Sequence, residues 1–264
     1  MLNPVRPIGV MDSGIGGLTV VRKLQEILPG EDIIYFGDSA NCPYGNKTSA
    51  EILELSSHML RFLENHDVKC TAIACCTISN ITDQLQPLFH HNIFGIIESA
   101  AHHVAQENLR CVGLIGTEFT ISSGNFEHSI HKLNPNCQIV SKGSPLLASL
   151  IERGDFNQEE INFEIKKQVD IILSQQAVGT LILGCTHYPI VEENFHRCYP
   201  SLALIDAGVE QAYALKRFLK SNHALNPQGR GKFIVYTSGD PGVYLKAIHR
   251  LQLFEPDVVE TVQI

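Results

Sequence analysis

Ile8-Gly-Val-Met-Asp-Ser-Gly-Ile-Gly-Gly-Leu18 is the stretch on which the fold turns. Its first four residues form an apolar run of strand length that stops at Asp12-Ser13-Gly14. From Leu18 the spacing changes. Leu18, Val21, Leu24 and Leu28 recur on one helical face, and Pro29-Gly30 ends the helix. A second apolar run, Ile33-Ile-Tyr-Phe36, follows at once. Thr48 and Glu51 then have the spacing of a capping box, ahead of Ile52, Leu55, Met59 and Phe62 on one face. Cys70-Thr-Ala-Ile-Ala74 is a third strand, ending at Cys75.

The same alternation runs on through 93–97, 112–115, 139–140, 180–183, 202–205 and 233–236, with helical stretches such as Ile161, Ile165, Val169 and Ile172 between. The strand runs are continuously apolar rather than alternating. Such strands are covered on both faces, so the sequence predicts parallel α/β layers. Asp12 and Cys75 at strand ends in the first half are echoed by Thr117 and Cys185 in the second. Two similar halves facing each other would bring the C-terminal ends of both sets of strands to one cleft, where ligands of open α/β sheets bind.

Composition removes several classes of function. The chain has 264 residues, 44% hydrophobic and 18% charged, with a net charge of −8. That is ordinary for a globular protein with a core of its own. The longest basic-rich stretch, Gln228-Gly-Arg-Gly-Lys232, reads as a loop, so nucleic acid is not expected as a partner. No secretory signal is read at the start and no run of about 18 apolar residues exists, so a cytoplasmic protein without a membrane span is expected. Eight cysteines occur, at 42, 70, 75, 76, 111, 137, 185 and 198, with no CxxC pair. Zinc-ribbon spacing is therefore absent. Cys70, Cys111 and Cys137 read as inert small hydrophobes.

Ala74-Cys75-Cys76-Thr77 and Gly184-Cys185-Thr186-His187 carry the chemistry. Each cysteine stands just past an apolar strand, where a helix start would lower a thiol's pKa. Two such thiols could form a redox disulfide, ligate a metal, or exchange protons with opposite faces of one carbon. A metal would want further donors, and in the sequence only His187 stands close by. Proton exchange on both faces of an sp³ carbon needs two bases of similar kind, one protonated and one ionised, and the reaction is then racemisation.

At this point the chain resembles the aspartate/glutamate racemase family, and within it the glutamate racemases of bacterial cell-wall synthesis. The resemblance lies in Gly9–Leu18, Tyr35-Phe-Gly-Asp38, Pro43-Tyr-Gly45, Ala74-Cys-Cys-Thr77, Gly116-Thr-Glu-Phe-Thr120, Leu183-Gly-Cys-Thr-His-Tyr-Pro189 and Leu204-Ile-Asp206. It implies two pseudo-symmetric α/β domains, each a mostly parallel sheet flanked by helices, with the active site in the cleft between. The first would comprise 1–97 and 207–264, the second 98–206. It implies cofactor-independent racemisation of glutamate for peptidoglycan, with aspartate racemisation or a catalytically altered binding protein as alternatives. A homodimer is a family expectation, and no metal is expected. Cys75 and Cys185 match the two catalytic thiols, and Asp12 and His187 their auxiliary acid/base groups. Glu152, in Pro145-Leu-Leu-Ala-Ser-Leu-Ile-Glu-Arg-Gly154, matches a carboxylate supporting the histidine; by itself it reads as a surface charge ending a helix. Ser13, Tyr44, Gly45, Thr77 and Thr186 match positions that hold the substrate's amino and carboxylate groups. Cys76 stands where the family usually has Asn. A thiol cannot supply an amide's two N–H donors.

Overall fold

The computed structural model describes residues 2–227, 229 and 231–263. Gln228 and Arg230 of the basic stretch lie outside them, so the loop read there falls only partly on described residues. Among these described residues there are ten strands: β1 (Ile8–Asp12), β2 (Ile33–Gly37), β3 (Cys70–Ile73), β4 (Asn92–Gly95), β5 (Cys111–Gly116), β6 (Gln138–Gly143), β7 (Thr180–Gly184), β8 (Ala203–Ile205), β9 (Phe233–Thr237) and β10 (Val258–Thr261). They form two sheets, of order β10-β9-β2-β1-β3-β4 and β6-β5-β7-β8. Every pairing is parallel.

The order β2-β1-β3-β4 in the first sheet is repeated as β6-β5-β7-β8 in the second. In each, the chain's path reverses between the two central strands, which opens a crevice at their C-terminal ends. β1 and β3 flank the first crevice, β5 and β7 the second.

The continuous apolar runs are explained by burial on both faces. Ile8, Val10, Tyr35 and Ala72 belong to one core cluster, which continues through Val112, Leu114, Ile165 and Val169 of the second half. Their strand neighbours Met11, Phe36 and Ile73 pack on the opposite face, against Ile52, Met59 and Leu63 of the helix Ser49–Asn65. That helix begins as its sequence requires. Glu51 N–H donates to Thr48 Oγ1, and Thr48 N–H donates to Glu51 Oε2 at 2.8 Å.

Two readings differ from the sequence expectation. The fourth strand ends at Gly95 rather than Ile97, because Ile97 opens the helix Ile97–Gln106. β10 has no counterpart in the apolar runs. It is a mostly exposed edge strand, Val-Val-Glu-Thr, so nothing demanded a continuous apolar stretch. Among the described residues, no helix is long and apolar enough to cross a membrane.

Candidate active site

Asp12 ends β1, and Cys75 lies two residues beyond β3, the neighbouring strand. Ser13 Oγ is 3.6 Å from Cys75 Sγ. In the second half, Cys185 follows β7 directly, and His187 Nδ1 is 3.7 Å from Cys185 Sγ. Both thiols line one cavity between the halves. Ser13, Tyr44, Gly45, Cys76 and Thr77 line it from the first half, Thr186 and His187 from the second. Asp12 lies beneath this lining, fully buried, and Glu152 stands behind His187 with its Oε2 2.5 Å from Nε2. All eleven residues singled out in the sequence are thus brought to one place.

The Gly-Ile-Gly-Gly turn, which by itself could pass for a phosphate loop, has a different use here. A Cβ on Gly14 would collide with the Glu152 carboxylate, and one on Gly16 would stand 2.6 Å from His187 Nδ1. The glycines let the first half close onto Glu152 and His187 of the second. Ile15 N–H donates to Glu152 Oε2 at 2.9 Å, and the Ser39 hydroxyl donates to Glu152 Oε1. In the other direction Thr186 Oγ1 donates to Asp12 Oδ2 at 2.7 Å, while Gly14 N–H holds Oδ1 at 2.9 Å. The hydroxyls of Thr77 and Thr117 meet across the cleft at 3.2 Å.

Glu152 is the last residue of the helix Leu147–Glu152, followed by Gly154 at φ +69°. Its side chain is only 15% exposed, so it is no surface charge. Tyr44 reaches the site through a buried anchor, its hydroxyl donating to Asp38 Oδ2 at 2.6 Å.

Burial governs the electrostatics. It raises the Asp12 carboxyl to about 6, against the pull of His187 and the bonds from Thr186 and Gly14. It pushes the Cys75 thiol up to about 12, with the Asp12 charge adding to it. The expected lowering at the helix start is overturned for Cys75. The Ile78 amide and the Ser13 hydroxyl favour the thiolate but do not offset desolvation. Cys76 is likewise raised well above the usual thiol value, by burial and by the nearby Cys185 and Cys75. His187 behaves oppositely. Burial disfavours its charge, but bonding to Cys185, Cys42 and Glu152 outweighs this and holds the imidazole well above its ordinary value.

Cys42 was not picked out in the sequence. It lines the cavity beside the two thiols, and burial raises it to about 11. Its only signal was its place next to Pro43-Tyr44-Gly45. Thr117, the counterpart of Asp12 in the echo between the halves, also lines the cavity.

The arrangement offers two thiols at equivalent strand ends, each with its own acid/base partner, facing a shared enclosed space. Comparison with known proteins accords with that chemistry. Residues 8–212 match the Asp/Glu/hydantoin racemase family. A glutamate racemase of Thermoanaerobacter sp. is 34% identical over 94% of this chain and 93% of its own. The crystal structure of a glutamate racemase from Francisella tularensis in complex with D-glutamate superposes with a TM-score of 0.89, at 36% identity over 98% of both chains. A glutamate racemase isoform of Bacillus anthracis gives 0.91 at 28% identity over 99% of both. The chain belongs to the Asp/Glu/hydantoin racemase family and is an amino-acid racemase.

Proposed function

We propose that this protein is a glutamate racemase that interconverts L- and D-glutamate without a cofactor, acting in the cytoplasm to supply D-glutamate for peptidoglycan. The single observation that carries the mechanism is the pair of opposed thiols, Cys75 and Cys185, facing one cavity from equivalent strand ends of two like-ordered sheets. Glutamate is favoured over aspartate because relatives similar over nearly the whole chain are named for glutamate.

In this reading the two domains are 1–97 with 207–264, and 98–206. The substrate's α-carbon lies between the sulfurs. One thiolate takes the α-proton and a carbanion forms. The other thiol donates a proton to the opposite face, which inverts the centre. The Cys75 thiol, pushed up to about 12 by burial, is protonated at neutral pH and needs help to lose its proton. Asp12 serves the Cys75 side, and His187, oriented by Glu152, serves the Cys185 side in the manner of a Cys-His-carboxylate relay. Ser13, Tyr44, Gly45, Thr77 and Thr186 border the space where the substrate's amino and carboxylate groups would be held. Cys76 also borders it.

The test is incubation with each enantiomer of glutamate and of aspartate in D₂O, following optical rotation and α-deuteration. Glutamate is expected to racemise and to take up deuterium at the α-carbon. Inversion of neither amino acid, or of aspartate in strong preference to glutamate, would sink the reading.

A further inference from the structure

We propose that Cys42, His187 and Glu152 form a binding site for a divalent cation of the zinc class, and that its occupation inhibits the protein. Cys42 Sγ, a ring nitrogen of His187 and a carboxylate oxygen of Glu152 all lie within 4.8 Å of one another. The three come from separate parts of the chain, so their spacing could not announce a site. The sequence offered only His187 as a donor near the thiols; the fold adds Cys42 and Glu152 to it. Cys185 Sγ stands outside this group, 3.7 Å from His187 Nδ1, while Glu152 Oε2 contacts the other ring nitrogen.

The donor set selects the ion. Thiolate, imidazole and carboxylate together suit zinc, which takes four such ligands in a tetrahedron. Magnesium and calcium want oxygen ligands throughout and find one residue of that kind here. The enclosed space also favours an ion stripped of water. The cavity lined by Cys42, Cys185 and His187 has about 10 Å³ of free room, close to what a single water occupies.

Cys42 has no task in the proton path proposed above, yet its sulfur lies within 4.8 Å of a ring nitrogen of the histidine that serves Cys185. A cation held there occupies the lone pair of His187, which then cannot exchange a proton with Cys185. Proton transfer on that face stops while the Cys75 face stays intact. The word inhibition rests on the glutamate racemase reading; the binding site does not.

Zinc titration of the whole protein against a chromophoric chelator, with magnesium in parallel, tests binding. One zinc per chain at submicromolar affinity is expected, and no competition from magnesium. Cys42→Ala should weaken zinc binding by about tenfold or more, whereas Cys137→Ala, a buried thiol outside the cavity, should leave it unchanged. Cobalt(II) supplies a readout that needs no variant, since a thiolate ligand gives a ligand-to-metal charge-transfer band in the near ultraviolet. Racemisation should fall with zinc, return with EDTA, and require about tenfold more zinc in Cys42→Ala. Absence of the cobalt band, equal zinc affinity in Cys42→Ala, or equal binding of magnesium overturns the site. A protein that binds zinc through Cys42 but does not racemise glutamate keeps the site and defeats the proposed function. One that racemises glutamate and ignores zinc does the reverse.

Discussion

The Cys75 side and the Cys185 side occupy equivalent places in two like-ordered sheets, yet their helpers are unlike. Cys75 has a carboxylic acid, Asp12, and a hydroxyl, Ser13, with no imidazole. Cys185 has a histidine backed by a carboxylate. The difference teaches that the fold repeats the position of the thiol, not the chemistry around it. A second asymmetry concerns support. Asp12 of the first half is held by Thr186 of the second, while Glu152 of the second is held by Ile15 and Ser39 of the first. Each half orients the other's carboxylate. Hydrogen bonds to a charged group contribute about 1.5–3 kcal/mol each, so both sides reach working geometry only when the halves are closed.

The comparison can be broken most directly at the thiols. Cys75→Ser and Cys185→Ser should each lower racemisation by roughly 10²–10⁴-fold, the usual worth of a positioned acid/base group. Near wild-type turnover in either variant would show that the two sides are not a pair.

The pH axis should separate the sides. The Asp12 carboxyl is raised to about 6 by burial, so the folded protein holds its proton more tightly than the unfolded chain does. Its contribution to stability is present below the ordinary carboxyl value and is lost as pH rises through about 6, amounting to about 3 kcal/mol. His187, raised above its ordinary 6.5, has the same sign in a higher window: stability present below 6.5 and lost above the raised value. Urea denaturation between pH 4 and 9 checks both. Asp12→Asn should flatten the fall between about 4 and 6 and leave the upper one. His187→Asn should do the opposite. A stability curve unchanged by Asp12→Asn would refute the raised titration of this buried carboxyl.

A directional test sharpens the assignment of helpers. L- and D-glutamate have equal free energy, so kcat/KM must be the same in both directions for any variant. An effect confined to one face therefore shows as kcat and KM changing together by the same factor between the two directions, and in the isotope effect with α-deuterated substrate. Asp12→Asn should lower kcat in one direction by about tenfold more than in the other, and His187→Asn should favour the opposite direction. If both variants slow the same enantiomer, the helpers are assigned to the wrong faces.

The smallest effect is expected at Cys76. Replacing it with Asn restores two amide donors beside the cavity and should lower KM for glutamate by up to about tenfold, with Cys75 still required. Unchanged kinetics for glutamate and aspartate would place Cys76 outside the substrate's reach.

Much of this was legible because period and position encode it. The double-faced strands wrote themselves as unbroken apolar runs, and the Thr48–Glu51 box named the start of its helix. The equivalence of Cys75 and Cys185 followed from strand ends alone. Burial was not legible in the same way. A thiol at a helix start reads as activated, but the cleft that closes over Cys75 raises its pKa instead. Glu152 gave no inward signal, since a carboxylate two residues before a glycine is usually solvated. Cys42 has no periodicity, and its donors lie far away in sequence. β10 escaped because an exposed edge strand needs no apolar run.

The enclosed cavity has a consequence for the protein's memory. In the proposed mechanism, one turnover from L- to D-glutamate leaves the sulfur that took the proton protonated and the one that gave it ionised. That is the state fitted to receive the D-enantiomer. With about 10 Å³ of room and hydrogen bonds spanning it, the shut cleft has no space for glutamate, so product leaves only as the halves part, and resetting of the pair competes with entry of the next substrate. The protein thus leaves each event marked by the hand of what it last converted, and at high glutamate the rate should be set by how fast that mark is erased. A pulse of labelled L-glutamate added to a racemic pool reads it out: a transient imbalance in the unlabelled enantiomers appears if erasure is slow, and none appears if solvent resets the thiols at once.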